Sequence, residues 1–463
     1  GYGIDGTSSA AEIQASIRDS HVTASGALTI SATSTEVIGA IVVAGSAAVG
    51  AGGDAGIAVS GAGVAADNRI QAHVRAYVDG DKPATIASSG ISATSASLTA
   101  SDSSTIKSIA AAVSLALAFS GSTAVAASVG ISLAQNTISN VIEASISNAK
   151  TTFTTTTGDI TLHATESASI DALTAAASLS VAVGGDAGVA LSGAGALASN
   201  TILTHTNAFI DSSDVTSAGA VTICATDKAG IHAIIAAASA SVGGGTVGAS
   251  GSIGLALARN LIGYDFDLTT TAAHDSSETV SGLSNGTTVK VLSGPRSGDI
   301  YRYTGKTLAG SVDLSKQDYG DPTSWQLIGL ADAAEQVQAY VHNSRINATG
   351  ALTLTAKGEE SIDAIVVAGS VAIGVGGGGL ALTGAGSGAM NKVQAHVHAY
   401  IDGDTASGLT HSGIGAASIS ATAHDTSTIT ALTAAVSIGA AVGGTAVSLS
   451  LAVAVSFNEV AND

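Results

Sequence analysis

At 463 residues the chain could hold two or three ordinary domains, but its composition is unusual: 57 Gly, 46% hydrophobic, 11% charged and 3% aromatic. A net charge of −19, from 16 Lys+Arg against 35 Asp+Glu, excludes the basic face that nucleic-acid binding needs. The apolar content excludes an acidic disordered tail, and the single Cys224 excludes an internal disulfide framework.

The chain opens GYGIDGTSSAAEIQ, without a basic n-region or an apolar h-region, so no signal peptide is expected. With no initiator Met, it reads as a mature or excised segment of something longer. A strand-like entry, GALTISAT, follows at Gly26–Thr33, and then the apolar stretch Ile38–Ala66. That stretch is long enough to cross a membrane. However, a Gly-Gly-Asp break divides it and no aromatic belt or Lys/Arg flank marks an interface, so no membrane span is expected. Its lack of alternation suggests strands covered on both faces. Asn68 then leads into IQAHVRAYVDGD at Ile70–Asp81, where Ile70, Ala72, Val74, Ala76 and Val78 alternate with Gln71, His73, Arg75, Tyr77 and Asp79. Period two predicts an exit strand with one wet polar face.

The same order returns along the chain. An Asn-x-Ile/Val step closes each apolar stretch at Asn68, Asn136, Asn200, Asn260, Asn391 and Asn458, at intervals of 68, 64, 60, 131 and 67 residues. Six units, paired as three A–B doublets, therefore make an all-β fold, a β-solenoid or an array of stacked long β-hairpins. Stacked helical hairpins are the alternative, from Ala-rich pieces such as IDALTAAASLSVAV. The Asn column reads as a hydrogen-bonded ladder at a bend whose left-handed backbone Asn tolerates. Cys224, alternating with apolar neighbours, reads as an inert buried thiol. The Thr run at Thr151–Asp159 occurs once, which an ice-binding face would repeat in every rung.

The doubled interval marks an insertion from Asp265 to Ala334, so the array occupies 1–264 and 335–463 around a module at 265–334. The module holds five of the sixteen basic residues, two of the three Pro and the only Trp. It reads as a small β module, with TTVKVLSGPRSGDIYRYTGKTL forming two strands about a Pro/Gly turn. Tyr301, Tyr303, Tyr319 and Trp325 are its candidate sugar-binding platform, or alternatively its core.

Elsewhere chemistry is sparse. His73, His205 and His396 fall at one position of the three odd units. His396 and His398, two apart on one strand face, could reach one metal, but no third ligand is evident. Asp79, Asp81, Asp402 and Asp404 end the exit strands as Asp-Gly-Asp; they suit tight turns and make calcium the one cofactor candidate. No nucleophile, acid–base or phosphate-binding constellation is present, so no enzyme is expected.

Units of the form VTAxGxLTISAT…AGIAVSGAG…NxIxAxVxAYIDG resemble the tandem repeats of giant bacterial surface adhesins, the filamentous-haemagglutinin-like β-solenoid group. The resemblance spans nearly the whole chain outside the insert and implies a secreted or cell-surface rod serving adhesion, coating or matrix. The opening AAEIQASI matches the resumption AAEQVQAYV after the insert, and the chain stops at NEVAND in mid-strand. End-to-end stacking is therefore expected to continue, in a longer parent chain or between subunits. An adhesin stalk presenting a glycan- or surface-binding insert is the second reading, and a polysaccharide-acting β-helix enzyme the third.

Overall fold

The computed structural model describes residues 10–80, 90–264, 272–292, 298–319, 324–330, 335–403 and 413–462. Strand dominates, and the only helical element among the described residues is the single 3₁₀ turn Leu314–Lys316, so the helical-hairpin alternative fails. The reason is local. Gly interrupts every Ala-rich run, and the register of each run on its neighbours satisfies the backbone across rungs rather than within a helix.

Each rung begins as one coil of a parallel solenoid. In the third rung these are the short strand Phe153–Thr155 and the entry strand Ile160–Thr165, closed on the third side by the exit portion of a long strand. Each side pairs in parallel with its counterpart above and below. Inward-facing Ile, Leu, Val and Ala stack into one core that includes Leu98, Phe153, Leu162, Ile223 and Leu354.

From every coil a long arch projects. In the first rung the chain rises through Val37–Gly52, turns, and descends through Ala55–Asp79, whose last residues form the exit strand. The legs of an arch lie in different sheets instead of pairing with each other, so they are not hairpins. The six rising legs make one parallel sheet and the descending legs lie in another, packed face to face. We call this two-sheet projection the fin. Six rungs at about 4.8 Å span roughly 29 Å of axis, whereas a 16-residue leg at about 3.3 Å per residue reaches roughly 53 Å. The described array is thus wider than it is long, and a rod arises only if stacking continues.

The fin has its polarity reversed. In the outer half of the gap between its sheets stand Ala, Gly and two facing columns of hydroxyls: Ser46, Ser114, Ser178, Ser239, Ser370 and Ser437 against Ser60, Ser128, Ser192, Ser252, Thr383 and Ser450. They bond across the gap, Ser46–Ser60 at 2.8 Å, Ser178–Ser192 at 2.5 Å and Ser239–Ser252 at 2.6 Å. Near the tip the sheets close so tightly that a Cβ on Gly184 would lie 2.1 Å from the Ala187 carbonyl oxygen, and one on Gly243 2.1 Å from that of Ala249. Larger aliphatic side chains face outward, with Ile41 74% and Ile57 66% exposed. The legs are therefore not covered on both faces. Toward the tip the inner face is too shallow for Val, Ile or Leu, which the alternation places outside, and only nearer the base does it enclose branched residues such as Val64, Ile235 and Val366.

The insert interrupts the fourth rung between Val247–Ile262 and Glu335–His342. Asp299–Tyr303 pairs antiparallel with Thr288–Lys290 and Trp325–Leu330, and Thr279–Leu283 with Leu308–Asp313.

Candidate functional site

The exit strands place their polar residues in columns. His73, Val141, His205, Gln336 and His396 form one, so the aligned histidines are separated by the even rungs. This face is not wet where the insert packs on it. His73, Arg75, Tyr77, Phe209 and Tyr340 are buried, and Val141 and Leu203 join the insert's core. His205 Nδ1 lies 3.3 Å from Asp299 of the insert. Phe209, Tyr340 and Tyr400 stack on successive rungs, with ring centroids 4.9 and 5.0 Å apart. Alternation distinguishes two strand faces but cannot say that a segment distant in sequence will cover the polar one.

Tyr301, Tyr303, Tyr319 and Trp325 are the insert's core, each at most 8% exposed, and so form no open sugar platform. Tyr303 and Tyr319 pack on the Trp325 ring at 5.1 and 4.7 Å between centroids. Their hydroxyls bond to backbone, Tyr303 to Lys306 O at 2.6 Å and Tyr319 to Leu314 O at 2.9 Å. A module this small has little else to fill its centre.

The proposed cation ligands behave as corner residues. Asp79 accepts a hydrogen bond from Asn148 Nδ2 at 2.9 Å and lies 3.8 Å from Arg18. Asp402 is exposed at the same column. The next position is left-handed in Asp19, Asn148, Ser212, Asn343 and Gly403, with φ between 44° and 63°. Asp and Gly are there for the turn. Asp81 and Asp404 lie outside the described residues. His396 and His398 are half-buried with ring centroids 5.9 Å apart, and no group of three or more His, Cys, Asp or Glu with metal-holding geometry occurs among the described residues. Cys224 is half-buried on an entry strand rather than buried, with Sγ 3.7 Å from Thr226 Oγ1.

The Asn column forms one continuous chain of amide hydrogen bonds. Asn68 donates to Asn136, Asn136 to Asn200, Asn200 to Asn260, Asn260 to Asn391 and Asn391 to Asn458, each at 2.8 Å. These residues sit inside unbroken strands, not at a left-handed bend. They mark the level where fin becomes solenoid.

A second column carries more charge. At the ends of the entry strands Asp102, Glu166 and Asp227 stack on successive rungs, and further along Gly358 and Asp425 continue the position. Glu335 and Glu360 reach in beside them. Asp102, Glu166, Asp227, Glu335 and Glu360 are at most 1% exposed, and the shifts of the last four owe nothing to a cationic side chain. Their partners are hydroxyls and amides: Asn140 to Asp102 at 2.9 Å, Thr206 to Asp227 at 2.8 Å and Ser427 to Glu360 at 2.6 Å. Burial, then the charges of Asp102 and Asp227, hold Glu166 well above the usual carboxylate range. Burial, then Asp227 and Glu360, does the same to Glu335. Burial first, with Asp227 and Asp425 adding to it, pushes Glu360 up to about 8. Burial also raises Asp425, but hydrogen bonds from Asn462, Glu360 and Ser427 outweigh it and its pKa is lowered. At neutral pH Glu360 thus keeps its proton and shares it with Asp425, while burial favours the protonated form of Glu166, Asp227 and Glu335. Aligning the ends of the entry strands (TASD, HATE, CATD, TAHD) would have exposed this column in the sequence.

Insert and array also enclose a cleft of about 500 Å³. Tyr77, Asp79, Glu143 and Asp211 line it from the array, Lys316 and Tyr319 from the insert. Asp211 bonds His342 at 2.7 Å and holds that imidazole above its usual pKa. Lys316 Nζ is 3.1 Å from Asp313. The cleft offers acceptor oxygens, serine hydroxyls and two phenol rings, and within it Ser145 Oγ donates to Glu143 Oε1 at 2.7 Å.

No family model, no curated protein and no solved structure matches this chain.

Proposed function

We propose that this chain is a structural protein, a segment of an extracellular or cell-surface filament built by end-to-end stacking of β rungs and serving coating, matrix or adhesion. The observation that carries the reading is the in-register repetition of one cross-section through all six rungs, including the Asn chain. That chain is directional. Its acceptor end is Asn68 Oδ1, and its donor end is Asn458 Nδ2, which bonds Ser456 at 3.2 Å. Donor and acceptor at opposite ends suit head-to-tail addition of the same unit. No helix among the described residues is long and apolar enough to cross a membrane, and the reading places the chain outside the bilayer. It requires neither catalysis nor a cofactor.

Electron microscopy of the purified chain tests this reading. Filaments that lengthen with protein concentration support it, and discrete plates at every concentration refute it.

A second reading has one observation in its favour. The cleft between insert and exit strands combines acceptors, hydroxyls and Tyr77 and Tyr319 in a volume that suits one or two sugar rings. The filament would then also be an adhesin stalk. Glycan-array binding lost on Tyr77→Ala but kept on substitution of an exposed insert residue such as Leu308 supports it, and undiminished binding by Tyr77→Ala counts against it.

A further inference from the structure

The outer faces of the fin are its least explained feature. In the rising-leg sheet, outward positions from Ile41 to Ala51 are Val, Ile, Leu, Ala, Gly or Phe in every rung. In the descending sheet the same holds from Ile57 to Ala65. Charge returns only at the margins: Asp54 and Asp186 at the tips, Lys107, Asp171 and Asp363 at the base of the rising legs, and Asp67, Arg69, Arg259, Lys392 and Glu459 at the base of the descending ones. A water-facing sheet would alternate small apolar residues inside with polar ones outside. Here the hydroxyls are inside.

We propose that a second copy of this chain covers the fin, the rising-leg face of one copy packing on the descending-leg face of the next. The area suffices. Six strands about 4.8 Å apart and an apolar band about 30 Å tall give roughly 900 Å² per face, against about 800 Å² per partner in a standard stable interface. Relief favours the pairing of unlike faces. The rising-leg face has a shallow apolar depression of about 490 Å³ over Ala177, Ala238 and Gly369, walled by Val113 and Leu179. On the descending face Leu191 and Ile253 project from the middle of the sheet, 53% and 57% exposed, each beside a glycine of the adjacent rung, Gly251 and Gly193. A solid partner suits this relief better than lipid does. Insertion into a bilayer would carry the Asp54 and Asp186 tips through hydrocarbon, and no aromatic belt marks an interface. Contacts between unlike faces do not close, so the products are lamellae of filaments lying side by side. This contact is independent of end-to-end stacking, which leaves the fin faces of successive copies coplanar.

Site-specific crosslinking tests the proposal. On a Cys224→Ser background, one chain carries Leu179→Cys and another Ile253→Cys, and a flexible bis-maleimide is added to each alone and to the mixture. A 1:1 crosslinked pair is expected in the mixture and is lost when Val113→Lys and Leu191→Lys are added, with unchanged circular dichroism and melting midpoint. No crosslink in the mixture, or crosslinking that survives both lysines, overturns the proposal. So does crosslinking of each chain only to itself, which means like faces meet. Binding of the uncrosslinked chain to phosphatidylcholine vesicles, with the fin protected from labelling, would make lipid the cover instead. Microscopy separates the two ideas: loss of side-by-side packing narrows bundles and leaves filament length unchanged.

Discussion

Raising the pH from about 5 to about 9 removes stability that the buried carboxylate column supplies, and Glu360 sets the scale. Its pKa is about 8 in the folded chain against 4.5 for a freely solvated Glu side chain. A raised folded pKa means the contribution is whole below about 4.5, erodes as pH rises and is gone above about 8. About 3.5 units at 1.36 kcal/mol each amount to something on the order of 5 kcal/mol from this residue. Asp425, lowered by its own hydrogen bonds, works in the opposite sense and loses its contribution as pH falls through its folded value. Maximum stability is therefore expected in mildly acid solution. Urea unfolding followed by circular dichroism, at a series of pH values, should show midpoints falling from about pH 5 to about pH 8. Glu360→Gln, which keeps the shape and cannot ionise, should flatten that slope by about one proton. Midpoints that rise over this range, or an undiminished slope in Glu360→Gln, would refute the assignment of protonated acids to the column.

Three further outcomes follow from the packing. Asn200→Ala breaks two 2.8 Å amide bonds in a fully buried chain and should cost roughly 2–4 kcal/mol in urea unfolding, whereas substituting half-buried Thr161 should cost less than about 1. Gly184→Ala drives a Cβ into the Ala187 carbonyl and should open the fin tip, read as new proteolytic cleavage near 184–187, while Gly195→Ala, with open space around it, should leave the pattern unchanged. Asp299→Leu removes the carboxylate facing His205 at the insert junction and should loosen the insert, detected as faster hydrogen exchange in Asp299–Tyr303 with the solenoid core unaffected.

The rung, its six-fold repetition, the place of the insert and the Asn positions were legible because each is a one-dimensional signal: a period, an interval or a change of composition. The small Ala and Gly residues also signalled close packing, but not which pair of surfaces was close. Leg pairing with other rungs rather than within an arch is invisible to alternation, since both arrangements need period two. The wet face assigned to His73, Arg75 and Tyr77 failed because His73 pairs with Glu12 of the neighbouring strand and the insert, some 200 residues on, packs on Val141 and Leu203 of the same face and closes a cleft beside Tyr77. Tyr301, Tyr303, Tyr319 and Trp325 could be weighed as platform or core, but only packing distinguishes the two. The carboxylate column was missed because Asp102, Glu166, Asp227 and Asp425 each look like an ordinary turn acid until the rungs are stacked.

X-ray diffraction from an aligned specimen of the filaments tests the central claim most directly. Stacked in-register rungs predict a reflection at about 4.8 Å along the filament axis, with the legs running across it. Filaments whose reflection at about 4.8 Å lies perpendicular to their long axis would contradict the account.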